Sequence, residues 1–239
     1  MSHSDSEDQF LAMREFFTKT WKIFIAVIVI GLLAFWGWRY WQSYQVEKIT
    51  VASDQYEQLL SKLAADNSAT TEIDELIAFA KNTDTIYSVF ASLKAAQIYV
   101  QDLKDYAGAE TLLTDASKKT DSEPVLAIIN IRLARLQYQL GKYDESLKTL
   151  DKVTNENWSV IVNDIRGDIF VKTEHYQQAC NAYNVALSSK PTADLEKSIK
   201  LKLNRAEYLL AEQDALAKQQ VAQEAKSNQA VTSEQKPQP

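Results

Sequence analysis

Residues that interrupt helices are scarce in this sequence of 239 residues. It has five glycines and four prolines; Gly31 and Gly37 fall in an apolar run, and Pro237 and Pro239 end the chain. The long middle is left with few breakers, which favours an all-α fold. A single cysteine, Cys180, excludes any intramolecular disulfide and leaves the redox compartment undecided. Two histidines, His3 and His175, are too few for a Ser/His/Asp triad, a Cys/His pair of the usual kind or a zinc site. Neither GxGxxG nor GxxxxGK[ST] occurs, so no phosphate-cradling loop is present. A formal charge of −6 without any Lys/Arg cluster argues against a nucleic-acid surface. These absences exclude the common enzyme designs and imply neither cofactor nor metal.

Hydrophobicity, by contrast, is concentrated at one place. Residues 23–38, IFIAVIVIGLLAFWGW, carry no charge and are bracketed by Lys22 and Arg39. With Trp21, Tyr40 and Trp41 included, the run reaches about 20 residues, enough to cross a hydrocarbon core of about 30 Å as a helix. Trp21 at one edge and Trp36, Trp38, Tyr40 and Trp41 at the other suit the two interfacial belts, where a ring can have one wet and one dry side. A cleaved signal peptide would need small residues where this run has Phe35-Trp36-Gly37-Trp38-Arg39. The span is therefore placed at 21–41. Arg14, Lys19 and Lys22 before it slightly outweigh Arg39 and Lys48 after it, which favours a cytoplasmic N-terminus. Residues 1–20 are polar at first, then weakly amphipathic through Phe10, Leu11, Met13, Phe16 and Phe17, as an interfacial helix would be. Gly31, Ala34 and Gly37 form a drifting stripe of small groups that either admits another helix or simply faces lipid.

Beyond Tyr44 helical periodicity runs with short breaks: 45–65, 71–81, 86–103, 106–117, 124–140, 143–155, 158–173, 176–189 and from 192 onward. A repeat of about 34 residues underlies it. In GDIFVKTEHYQQACNAYNVALSSKP, Gly167, Phe170, Tyr176, Ala179, Tyr183, Ala186 and Pro191 match the spacing of the tetratricopeptide signature. Small Gly167 and Ala179 let two helices approach, Phe170 and Tyr183 fill the seam, and Pro191 ends the unit. IRLARLQYQLGKYDESLKTLDKV repeats the theme with Ala134, Gly141, Tyr143, Leu147 and Leu150. AAQIYVQDLKDYAGAETLLTDA is a weaker copy, with Ala96, Tyr106, Ala109, Leu113 and Ala116, and is one residue longer between its helices.

The helices before and after these units, the latter spanning 192–216, are expected to cap the stack, giving a tetratricopeptide-like solenoid over 42–216. The Gln-, Ser- and Ala-rich residues 217–239 hold too little apolar area to offset ordering entropy and are expected to be a disordered tail that begins as frayed helix. In a curved stack the first helix of each hairpin lines a groove, so Ile131, Arg135 and Tyr138 with Asp164 and Asp168 are the candidate partner-binding residues. As a pair, Asp164 and Asp168 would also serve as an ordinary solvated face. His175, close to Cys180, reads as structural.

GWRYWQSYQV at the membrane exit, together with INIRLARLQYQL and DIRGDIF, resembles the YfgM family of ancillary subunits of the bacterial SecYEG translocon, over about residues 8–205. The resemblance implies a single-pass protein of the inner membrane with a periplasmic repeat domain. It also implies association with the translocon and with the membrane-anchored periplasmic chaperone PpiD, and a non-catalytic role in binding chaperones or client chains at the channel exit. It carries no contact residues across. The residues alone also allow a membrane-tethered scaffold for another envelope or regulatory complex.

Overall fold

The computed structural model describes the backbone of residues 4–65 and 70–234, and the side chains of 21–22, 25–64 and 71–223. His3 and residues 235–239 lie outside that set, as do the side chains of the amphipathic segment before Trp21. Among the described residues there is no β-strand, as an all-α sequence predicts. The chain divides into two units, residues 1–67 and 68–239.

The first unit is built on one unbroken helix, α1 (Ser4–Ala65), 62 residues long. The sequence assigns 42–65 to the repeat domain; in the structure these residues continue the same helix and fall in the first unit. No glycine or proline occurs between Trp38 and Ala65. A lone glycine inside a helix costs only about 1 kcal/mol against alanine, so Gly31 and Gly37 do not end it either. Every described side chain from Ile25 to Tyr44 is exposed, including Trp36 at 72% and Tyr40 at 77%.

The second unit is a run of antiparallel helices: α2 (Thr70–Asn82), α3 (Ile86–Ile98), α4 (Tyr106–Ser117), α5 (Glu123–Gln139), α6 (Tyr143–Leu150), α7 (Ser159–Lys172), α8 (Tyr176–Ser188) and α9 (Ala193–Glu234). Each packs on the next in order. Helix α6 is shorter than its periodicity suggests, and a 3-10 turn, Glu156–Trp158, leads into α7. Helix α9 continues through Glu234, further than the frayed helix expected at the start of the tail from residue 217. The tail is rich in Ala, Gln, Glu and Lys, which are strong helix formers, and has no proline before Pro237. Residues 211–223 are nevertheless all exposed, as their composition requires.

Small residues recur in the three hairpins: Ala96, Ala109, Ala134 and Ala179 lie in the apolar cores, and Gly167 sits directly beneath the Tyr183 ring. Ser146 holds its place by donating a buried hydrogen bond of 2.7 Å to the Ala134 carbonyl. Helix α5 supplies two cores at once, turning Ile129, Leu133 and Leu136 toward α3 and α4, and Ile131 and Ala134 toward α6 and α7. Tyr143 and Tyr138 pack beside the second of these cores and Phe170 beside the third, formed by α8 and α9. Tyr176 begins α8 and is half-buried, and Pro191 lies in the turn between α8 and α9. The α5–α6 and α7–α8 hairpins close identically: Lys142 N–H donates to the Gln137 carbonyl and His175 N–H to that of Phe170, both at 2.8 Å. Gly141 (φ +75°) and Glu174 (φ 60°) take the left-handed position in these turns. The extra residue of the first hairpin appears not as a longer loop but as a π-helical turn, Tyr99–Leu103, that completes α3.

A polar cluster joins α7, α8 and α9. The Lys202 ammonium donates to Asp164 Oδ1 and Asp168 Oδ2, both at 2.8 Å, and Tyr183 Oη donates to Asp168 Oδ1 at 2.8 Å. Burial and the hydrogen bond to Asp168 raise the Tyr183 hydroxyl above its ordinary 10.0. Burial alone would lower Lys202, but the bonds to Asp164 and Asp168 outweigh it and hold the ammonium above 10.5.

Two outcomes are expected. A methyl group on Gly167 would collide with the Tyr183 ring, which is 1% exposed and tethered at its hydroxyl. Gly167→Ala is therefore expected to destabilise by about 1–3 kcal/mol despite its better helix propensity, read as a fall in denaturation midpoint. Both raised groups bind more protons folded than unfolded above their ordinary values. Their contributions are complete below pH 10 and are lost as pH rises through the folded-state values. In urea titrations, Tyr183→Phe should cost roughly 1 kcal/mol near neutrality, with the gap to the parent narrowing above pH 10.

Candidate partner-binding surface

Helix α1 displays the anchor residues on an open surface. Trp21, Trp38 and Trp41 are 51–60% exposed, Lys22 and Arg39 are exposed beside them, and a Cβ at Gly31 or Gly37 would meet nothing within 4 Å. Ala34, between these glycines, is also exposed. Such a helix is long and apolar enough to cross a membrane. Each Leu, Ile, Phe or Val at the centre of such a span favours insertion by about 0.3–0.6 kcal/mol, and no charge between Lys22 and Arg39 opposes it.

In the second unit the five groove candidates separate. Ile131 is 6% exposed and belongs to the core between α5, α6 and α7, so it is a packing residue and offers no open surface. Asp164 and Asp168 are committed to Lys202 and Tyr183. They are neither a solvated pair nor free acceptors, because α9 brings a cation against them from 34 to 38 residues further along the chain. Tyr138 is half-buried, its ring tilted at 55° against Tyr143. Burial, then the nearby Asp168 carboxylate, pushes its hydroxyl upward. Only Arg135 stands wholly open.

Arg135 lies on the rim of a cleft of about 390 Å³ between α3 and α5. Arg132, one turn away on α5, shares that rim, and Gln97 and Gln101 form the opposite one. Gln97 Nε2 donates to Gln101 Oε1 at 3.0 Å, and Lys104 Nζ donates to the Gln101 carbonyl at 2.6 Å. Leu93, Val100, Leu113 and Leu136 make an apolar floor. Arg132, Gln97 and Gln101 were not distinguishable in the sequence, since polar residues on exposed helix faces are commonplace; the one usable signal was the additional residue between Ala96 and Tyr106. That residue creates the π turn that presents Val100 and Gln101 to the cleft.

Two further clefts carry their own neutralisation. One, between α6, α7 and α8, includes Arg166 already paired with Asp151 at 2.6 Å. The other sets Lys152 among Asp121 and Glu123. His175 bonds the Thr173 hydroxyl through Nδ1 at 3.0 Å in the α7–α8 turn. Cys180 is buried in the α8–α9 core, and that burial, with Glu207 nearby, raises its thiol and keeps it protonated.

Comparison with known proteins extends across both units. Residues 14–208 match the family described as a tetratricopeptide repeat-like domain. The "Ancillary SecYEG translocon subunit" of Escherichia coli (strain K12) is 33% identical over 202 residues, covering 84% of this chain and 97% of that protein. The protein of the same name from Haemophilus influenzae is 31% identical over 206 residues, with 85% and 99% covered. That of Aggregatibacter actinomycetemcomitans is 31% identical over 201 residues, with 84% and 97% covered. The match takes in the apolar span and the stacked hairpins together, and what it joins is not a family of enzymes. The chain belongs to the tetratricopeptide repeat-like family, among the ancillary SecYEG translocon subunits.

Proposed function

We propose that this chain is a non-catalytic ancillary subunit of the SecYEG translocon in the bacterial inner membrane. Helix α1 crosses the bilayer once, with the N-terminus in the cytoplasm, and the helical hairpins work in the periplasm at the channel exit. There they bind the chaperone PpiD, other periplasmic chaperones or the emerging chains themselves. The observation that carries this reading is the near end-to-end similarity to relatives of that name, anchor and repeat unit alike. The small excess of Lys and Arg before the span supports the orientation. Anchoring contributes through effective concentration: a surface held beside the exit meets each emerging segment repeatedly, so weak contacts suffice.

Purification of the full-length chain in mild detergent should bring translocon subunits with it, and their absence would defeat the assignment. Alkaline phosphatase fused to the C-terminus should be active in whole cells; an inactive, stably produced fusion would reverse the orientation.

A further inference from the structure

Among the described residues, the cleft between α3 and α5 leaves its charge uncompensated. Two arginines line it and no carboxylate does, in a chain whose formal charge is −6. Arg132 and Arg135 make no ion pair among the described residues, whereas Arg166, Lys142 and Lys202 are each paired. An uncompensated pair of guanidinium groups above an apolar floor asks for an acidic ligand that also carries an apolar group.

We propose that this cleft docks an acidic segment of a partner protein: one apolar side chain packs on the half-buried Leu93 and Val100, above the core residues Leu113 and Leu136, and flanking carboxylates engage Arg132 and Arg135. The proposal rests on the reading of the chain as a binding subunit and names the chemistry of its ligand. Guanidinium groups donate to carboxylates in paired, in-plane hydrogen bonds, which gives direction as well as charge. The opposite rim suits a polypeptide. With Gln97 Nε2 given to Gln101 Oε1, the Gln97 carbonyl oxygen and the Gln101 amide nitrogen remain to meet a bound main chain. The cleft volume of about 390 Å³ lies near the small end of ligand pockets and suits one or two side chains. A nucleic acid would leave the apolar floor unfilled.

The test uses the full-length chain in detergent micelles and two fluorescein-labelled twelve-residue peptides. Each has a central Leu-Leu, flanked in one by aspartates and in the other by lysines. Fluorescence anisotropy should show binding of the aspartate peptide that weakens with added salt, and little binding of the lysine peptide. Arg132→Gln with Arg135→Gln should weaken it at least tenfold, and Arg132→Lys with Arg135→Lys by less. Both arginines are exposed, so the melting curves of these variants should match that of the parent. No binding of the aspartate peptide, equal binding of the two peptides, or unchanged affinity in the double Gln variant would overturn the proposal. Translocon co-purification is measured alongside with the parent chain. Its presence without peptide binding removes the cleft proposal alone, and its absence removes the assignment to the translocon while the peptide result stands.

Discussion

Where one helix presents a small residue at a contact, the helix against it can seat a larger group there. Gly167 plays that part in the α7–α8 hairpin. Where Gly167 admits the Tyr183 ring, the geometry goes further: the ring reaches across α7, and its hydroxyl arrives at Asp168. Asp168 then holds Lys202 of α9. One missing methyl group thus determines where an aromatic ring lies, and the ring determines where a charged cluster can form. Similarly, the Tyr99 ring covers Gly108 in the first hairpin, beside the π turn.

Because no hairpin covers its own apolar face, α5 carries two cores on opposite sides, and the loss of either neighbour would leave part of it bare. This dependence between neighbours is what periodicity in a sequence records. Helix positions from α2 to α8 followed from the spacing of apolar residues and from the recurring Tyr106, Tyr143 and Tyr176, each placed at the start of a second helix. What periodicity does not record is an ending. Nothing between Tyr40 and Val46 is charged or helix-breaking, so a change of surroundings from lipid to water leaves no mark on the backbone, and α1 passes through it. At the other end, low hydrophobicity in 217–234 marks the loss of a packing partner, which the local propensity of Ala, Gln and Glu does not require in order to form helix.

The binding surface was less legible for a related reason. Helical spacing locates a face but not what stands opposite. Asp164 and Asp168 could be placed on one side of α7, yet their partner Lys202 is remote in sequence, and without it they read as solvent-facing or as available to a ligand. The position of Arg135 on an open face was readable, whereas its partnership with Arg132 across from Gln97 and Gln101 depends on the α3 π turn. One inserted residue, visible as an irregular spacing, altered the helix itself where a longer loop had been the simpler expectation.

The continuity of α1 has a mechanical meaning. From Trp41 to Ala65 the helix projects about 36 Å beyond the apolar run at 1.5 Å per residue. A helix tilted by about 20° in its bilayer, an ordinary value, would displace its far end sideways by roughly 12 Å. A small rocking of the lipid-embedded part is thereby magnified into a swing comparable to the width of a helix, with no hinge residue in between to absorb it.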